Sequence, residues 1–463
     1  MIKKISPLLK ILLLGIVISC NSVRNKSETY FGGKIINPKS NYVVLYSMEE
    51  VIDTFLLNSN NKFLGKINNA NEGLYYFIHG NENQHIYIEP EDSLMLRLNT
   101  WNFDESLVFA GKGAERNNFL IDCFLENEKD QKLFYQYNKL KPKKFKNKID
   151  SLISIKLNTY SEYINSHKNE TVGYKEILKT ALTYPIYAKV ERYPMIYAKY
   201  AKDGNFPLTD NSFYKYRDNI ILDKDSLMYY PPYSIFVRNY LYNATYSLGH
   251  PPMKNEYSSK FTIDLLNIIN SKISTENSKN AFLRQTVIGH FYNKSSCDIN
   301  AEAFDTYFNL STSKKDKELI QNLVNDSKAL STNKKIPNFQ LTNYSNSKKN
   351  VSEITKNQST LIFFWSPEFV SESYIESRVN HLSNTYPNIK FIQVKIDGDK
   401  RERIQKLDIK NQFYLDKDSE AHLFLTSKMP RSILINKKGK VVNGYASIAS
   451  KNLNSYLKEL NKN

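Results

Sequence analysis

Between residues 28 and 112 polar and apolar positions alternate with a period of two. Tyr42-Val-Val-Leu-Tyr46, Val51-Ile-Asp-Thr-Phe-Leu-Leu57, Gly73-Leu-Tyr-Tyr-Phe-Ile78, His85-Ile-Tyr-Ile-Glu89, Leu94-Met-Leu-Arg-Leu98 and Leu107-Val-Phe-Ala-Gly111 are short β-branched or aromatic runs. Asn-Pro, Ser-Asn-Asn, Asn-Glu-Gly and Glu-Pro-Glu-Asp turns separate them. Six or seven strands at this spacing predict a small β-sandwich over 28–112. From 113 to 330 the period lengthens to three and four, as in Phe261-Thr-Ile-Asp-Leu-Leu-Asn-Ile-Ile269 and Ala281-Phe-Leu-Arg-Gln-Thr-Val-Ile288, which predicts a helical region. Pro231-Pro232 opens a helix on which Tyr233, Phe236, Tyr240 and Asn243 share a face. Tyr184, Tyr187, Tyr193, Tyr197 and Tyr200 crowd one span; they form either an aromatic ligand groove or a helix-packing surface, the commoner use of such residues. Residues 331–345 read as a hinge. Beyond it strands and helices take turns: Leu361–Phe364, a helix around Phe369–Leu382, Phe391–Ile396, a helix around 399–407, Ser432–Asn436, a turn at Lys437-Lys-Gly439, Lys440–Tyr445 and a last helix over Ser450–Leu460. The fold class expected is therefore multidomain α+β: an N-terminal β-sandwich, a central helical region and a C-terminal α/β domain.

The first residues change the picture of where the chain resides. Lys3 and Lys4 precede the apolar run Ile11-Leu-Leu-Leu-Gly-Ile-Val-Ile18, which is too short for the roughly 20 residues a membrane span needs. Val17-Ile18-Ser19-Cys20 resembles a bacterial lipobox, which implies a signal peptide over 1–19 and acylation of Cys20. Residues 20–27 then serve as a flexible tether, with the membrane as a partner through the N-terminal lipid. Asn21 after the cysteine resembles the sorting signal of outer-membrane lipoproteins, so the expected location is the cell envelope, lipid-anchored at the outer membrane and facing the periplasm.

The chain is basic, +17 over 463 residues, and losing Lys3, Lys4 and Lys10 leaves +14. The lysines are scattered, apart from Lys141-Pro-Lys-Lys-Phe-Lys-Asn-Lys148, so no nucleic-acid partner is expected. Cys123 and Cys297 are the cysteines left after Cys20. Cys123 lies in the apolar run Asn118–Leu125, where a buried inert thiol is expected. Whether it meets Cys297 is open, because sequence separation does not report Cα distance. The seven histidines are dispersed without metal-ligand spacing, so neither a metal nor a cofactor is expected.

Residues 335–463 resemble the TlpA/ResA-like thioredoxin domains of Gram-negative bacteria. The resemblance is carried by Ile336-Pro-Asn-Phe-Gln-Leu341, by the strand–helix order above, and by Met429-Pro430 at the position of the family's cis-proline. Phe31-Gly-Gly-Lys-Ile35, Tyr87-Ile-Glu-Pro-Glu-Asp-Ser-Leu94 and Phe109-Ala-Gly-Lys-Gly-Ala-Glu115 are similar to a β-domain of unknown function that precedes such domains in lipoproteins. In the family a strand ends in Phe-Trp-Ala-x-Trp-Cys-x-x-Cys. Matching Phe364-Trp365 to that start places Phe369 and Glu372 at the two cysteines. Disulfide exchange needs an attacking thiolate and a resolving thiol, and neither side chain supplies one. Ser366 is expected as helix N-cap, with Pro367 at the first helical position and Glu368 in the first turn.

In the family the backbone before the cis-proline pairs with extended peptides. The resemblance thus implies a candidate peptide groove at Trp365, Phe369, Glu372, Met429, Pro430 and Arg431, the last where threonine is usual; the same residues could equally just close the pocket. The function expected is a lipid-anchored envelope protein with a redox-inactive thioredoxin-like domain, serving as a peptide- or protein-binding or scaffold module and not as an enzyme. The alternative is a thiol-disulfide oxidoreductase of the TlpA class that uses Cys123 or Cys297. A third reading, ligand capture by the sandwich or the tyrosine-rich helices, has no residue signature.

Overall fold

A computed structural model describes residues 28–252, 258–293, 301–367, 369–396, 401–426, 429–450 and 452–462. The expected signal peptide, Cys20 and its tether, Cys297 and Glu368 lie outside the described residues. The chain forms two compact units that divide between Tyr240 and Leu241. The stretch 113–330, one helical region by periodicity, is therefore shared between the two. The architecture is mixed α/β with three sheets among the described residues.

The first unit begins with β1 (Thr29–Ile36), β2 (Tyr42–Ser47), β3 (Glu50–Leu56), β4 (Lys62–Ile67), β5 (Gly73–His79), β6 (Glu82–Ile88) and β7 (Ser93–Asn99). A short helix α1 (Phe103–Ser106) and β8 (Val108–Ala110) follow. The strands make two four-stranded sheets, β4-β1-β7-β8 and β3-β2-β5-β6. Alternate residues of both sheets feed one core, among them Phe31, Leu45, Phe77, Ile86 and Leu96. β1 and β7 run parallel, and Gly33 is required at their contact, because a Cβ there would sit 2.2 Å from the Leu96 carbonyl oxygen.

Three long helices complete most of this unit: α2 (Ala114–Tyr137), α3 (Pro142–Ser166) and α4 (Val172–Tyr200). α4 starts at Thr171, whose hydroxyl accepts the Tyr174 N–H at 3.1 Å. Pro185 and Pro194 lie inside α4. Each removes one backbone donor from the helix ladder and crowds the carbonyl four residues earlier. Tyr193 is fully buried against Phe145 (ring centroids 3.8 Å apart), which puts it in the packing set. A connector with two 3-10 segments (Asn211–Asn219 and Asp225–Leu227) runs on to α5 (Pro231–Tyr246), whose last turns belong to the second unit.

The second unit holds α6 (Ser259–Lys272), α7 (Glu276–Asn293), α8 (Ala301–Leu310) and α9 (Lys314–Ala329). Next come β9 (Gln340–Asn343), β10 (Lys348–Asn350), α10 (Val351–Ile354), β11 (Thr360–Trp365), α11 (Glu372–Thr385) and β12 (Lys390–Lys395). The chain ends with α12 (Arg401–Gln405), β13 (Gln412–Tyr414), β14 (Arg431–Ile435), β15 (Val441–Ala446) and α13 (Leu453–Lys462). The seven-stranded sheet has the order β10-β9-β13-β12-β11-β14-β15. β11 is parallel to β12 through the α11 crossover, and antiparallel to β14. Every residue of β11 is buried, because both sheet faces are covered. Ile362 and Phe364 enter one core and Leu361, Phe363 and Trp365 the other, as the period of two requires.

Residues 331–345 are not a free hinge. Ile336, Phe339 and Leu341 are in the core, and the Asn333 and Ile336 amides donate to the carbonyls of Val441 and Gly439 at 2.8 and 3.2 Å. Their apolar side chains have more to gain from burial than a polar linker would. The β–α–β unit followed by an antiparallel pair and a helix is the thioredoxin-like order.

Candidate functional site

The end of β11 and the start of β14 build one corner of the sheet, because Phe364 pairs with Arg431 in the ladder. That register brings the residues after Trp365 and the residues before Arg431 to the same sheet end. The Met429–Pro430 peptide bond is cis. Met429 is partly buried and packs on the core face that contains Phe364.

After β11 the chain does not enter a helix at once. Ser366 is fully buried, and its carbonyl accepts the amides of Phe369 (3.0 Å) and Val370 (3.1 Å), closing a separate turn. The N-cap is Ser371, with extended backbone at φ −68° and ψ 143° and its hydroxyl accepting from the Tyr374 N–H. The cap expected at Ser366 is thus corrected: its hydroxyl is inside the domain, and the extended Ser371 sets a new helix start. Glu372 opens α11, where a carboxylate faces the positive end of the helix dipole.

The six residues named from sequence part company here. Phe369 is 57% exposed, a large apolar ring in solvent, while Trp365 is 1% exposed and packs in the core with Ile375 and Val379. Glu372, Met429 and Pro430 are half-buried. Arg431 is 3% exposed and does not face an open groove. Its guanidinium donates from Nη1 to Asp326 Oδ2 at 2.6 Å and from Nη2 to Oδ1 at 3.0 Å. Tyr445 donates its hydroxyl to Oδ1 (2.6 Å), the Thr426 N–H donates to Oδ2 (3.1 Å), and the guanidinium carbon lies 4.4 Å from the Tyr445 ring centroid. Asp326, at 0% exposure, comes from α9. So the residue after the cis-proline is spent on holding a helix to the sheet. Sequence reading missed Asp326 because its partner lies 105 positions away; an acid on the buried face of an amphipathic helix was the available signal.

Cys123 is buried on α2 in the first unit, and burial pushes its thiol up to about 12. Among the described residues no group of three or more His, Cys, Asp or Glu side chains is arranged to hold a metal ion. No helix among them is long and apolar enough to cross a membrane.

No protein-family model matches the chain. No curated protein matches it either. Solved structures are similar over the C-terminal part. A candidate thiol-disulfide oxidoreductase of Bacteroides vulgatus is 19% identical over 28% of this chain and 97% of its own, with a TM-score of 0.25. A candidate thiol:disulfide interchange protein DsbE of Chlorobium tepidum is 17% identical over 28% and 99%, with a TM-score of 0.25. A thioredoxin-like protein of Bacteroides caccae is 16% identical over 58% and 93%, with a TM-score of 0.34. Likenesses this faint decide nothing about chemistry; what the site can do is set by its own side chains.

Proposed function

We propose that this chain is a lipid-anchored envelope protein whose thioredoxin-like domain binds an extended peptide or protein segment without acting on it. The observation that carries the reading is Phe369, an exposed aromatic ring at the sheet end that also bears the cis Met429–Pro430 bond. An apolar ring in solvent is a binding anchor when polar backbone lies beside it. Phe369 and Glu372 stand where the family keeps its two thiols, and the buried Cys123 is a poor nucleophile. Phe369, Met429 and Pro430 form the contact surface in this reading, with Glu372 at its rim; Trp365 and Arg431 support it from beneath. The N-terminal two-sheet part is a sandwich domain in this reading. Cys20 carries the lipid, and the outer membrane, periplasmic face, is the proposed location.

The test uses the full-length protein in insulin reduction beside its Cys123→Ser and Cys297→Ser variants. Absence of turnover in all three supports a binding protein. Turnover that disappears with Cys297→Ser overturns the reading in favour of a thiol-disulfide oxidoreductase of the TlpA class. Peptide-library binding that falls at least tenfold in Phe369→Ala places the contact; undiminished binding removes it from this corner. Labelling with radioactive palmitate that survives Cys20→Ala sinks the anchor.

A further inference from the structure

A second site lies in the first unit, beside α4. Near Pro185, which lies inside the helix, opens a cavity of about 520 Å³, within the size range of small-ligand sites. Its walls include Thr180, Thr183, Tyr184 and Tyr187 of α4 and Tyr216 of the connector. The two threonines are almost fully buried.

The walls are held in place before any ligand arrives. Tyr187 and Tyr216 are stacked, with parallel rings 4.4 Å apart. Tyr216 donates its hydroxyl to the fully buried Glu191 at 2.7 Å, and Arg217 donates to the same carboxylate from Nε at 2.8 Å and from Nη2. The Arg217 guanidinium is also packed over the rings of Tyr214 and Tyr240. A buried ion pair adds little net stability over apolar packing, so its effect here is positional: it fixes the tyrosine that walls the cavity. Across the opening Lys224 pairs with Glu176, and the Lys224 N–H donates to Tyr233 Oη at 3.1 Å, while Tyr233 donates to the Ile221 carbonyl at 2.6 Å. Both edges of the connector are thereby pinned.

The chemistry of the lining selects a ligand class. Aromatic walls receive the C–H faces of a saturated ring; the Thr183 and Tyr216 hydroxyls already donate to the Lys179 carbonyl and to Glu191, so these oxygens can only accept from a polyol. Tyr184 is held protonated by burial, its phenol pushed up to about 12, so it stays a neutral donor. Lys224 and Glu176 cancel, and among the described residues Lys179 at the rim has no ion-pair partner. The cavity therefore carries one surplus positive charge. An exposed cation beside a cavity with a low-dielectric wall attracts a carboxylate and disfavours a second cation.

We propose that this cavity binds a hydroxylated ring carrying one carboxylate, the chemistry of an acidic sugar, with Lys179 meeting the carboxylate and Tyr184, Tyr187, Tyr216 and the two threonines receiving the ring. The inference is independent of the thioredoxin-like domain. It is tested on the purified full-length protein by saturation-transfer NMR and titration calorimetry, with glucuronate, glucose and benzoate as probes. The expected result is binding of glucuronate, at least tenfold weaker binding of glucose, and a loss of at least tenfold for glucuronate in Lys179→Glu. Lys179 is exposed, so that variant keeps its fold, which an unchanged melting temperature verifies. Equal binding of glucose and glucuronate, binding of benzoate alone, no binding of any probe, or full glucuronate affinity in Lys179→Glu each overturns the proposal.

Discussion

Replacing Asp326 by alanine removes the acceptor of two guanidinium bonds, one phenol and one backbone amide in a single step. What remains is a guanidinium at 3% exposure that has lost the carboxylate bound by both of its terminal nitrogens. Breaking a buried pair from one side costs about 3–5 kcal/mol, because the abandoned charge stays desolvated. The Tyr445 bond to Asp326 belongs to the same cluster, so its loss is contained in that figure and is not added to it. Removing both charges is a different experiment. Asp326→Leu with Arg431→Met exchanges the pair for apolar volume and is expected to cost less than about 1 kcal/mol, or to stabilise. The chain has two tryptophans, and they separate the units. Trp101 is 71% exposed in the folded first unit, whereas Trp365 is 1% exposed in the second. Urea unfolding followed by the Trp365 emission shift, in a Trp101→Phe background, reads the second unit alone. With a slope of about 2 kcal/mol/M the single variant moves the midpoint down by roughly 1.5–2.5 M, and the double variant lowers it by no more than about 0.5 M or raises it. A single variant that unfolds within 0.3 M of the parent, or a double variant as weak as the single, refutes the assignment of Arg431 to this clamp.

Other expectations concern titration and reactivity. His85, on β6, is held at about 4 by burial, against the opposing bond to the Tyr229 carbonyl. Its depressed value means that folding stability present above pH 6.5 is lost as pH falls through 4, where the unfolded chain takes up a proton that the folded one refuses; His85→Asn should flatten that part of a Tm-against-pH profile, and an unchanged slope counts against it. Asp104 goes the other way, its carboxyl raised to about 6 by burial first and then by Glu128, Glu105 and Glu82. Stability present below pH 3.8 is then lost as pH rises through 6, so Asp104→Asn gains about 1–2 kcal/mol at pH 7 after allowance for solvent screening, and nothing at pH 3.5. Calorimetry at the two pH values decides it, and an equal gain at both contradicts the sign. Cys123 should resist iodoacetamide in the folded protein and react fully in urea, read by mass spectrometry; fast native alkylation would show that the thiol is neither buried nor raised.

What could be read in the amino-acid order, and what could not, divides by distance along the chain. Alternation placed β5 and β7 closely, since adjacent residues decide which way a strand faces, yet β4 escaped notice because Lys62-Phe-Leu-Gly-Lys-Ile67 is flanked by charge and interrupted by glycine. The strand–helix order from Thr360 onward was legible for the same local reason. The start of α11 was not, because Ser366 and Ser371 are equally good caps in isolation, and burial of Ser366 decides between them. Arg431 reads as a groove residue in the sequence because it follows the cis-proline position; only the fold reveals Asp326 beneath it. Likewise the tyrosines of α4 divide between two uses that spacing alone left open: Tyr193 is core, while Tyr184 and Tyr187 border a cavity.

The strapped-down course of residues 331–345 bears on modularity. A cut at 331 would strip the seven-stranded sheet of Leu330 and of Asp326, both fully buried against it. The portion that can be inherited or grafted as one piece therefore starts before α9, inside what periodicity marks as helical territory. Any recombination that moved the sheet alone would carry off Arg431 without its acid. Selection on exchange events would thus keep α9 and the sheet together, and their shared ancestry should be visible as a joint pattern of presence or loss at 326 and 431.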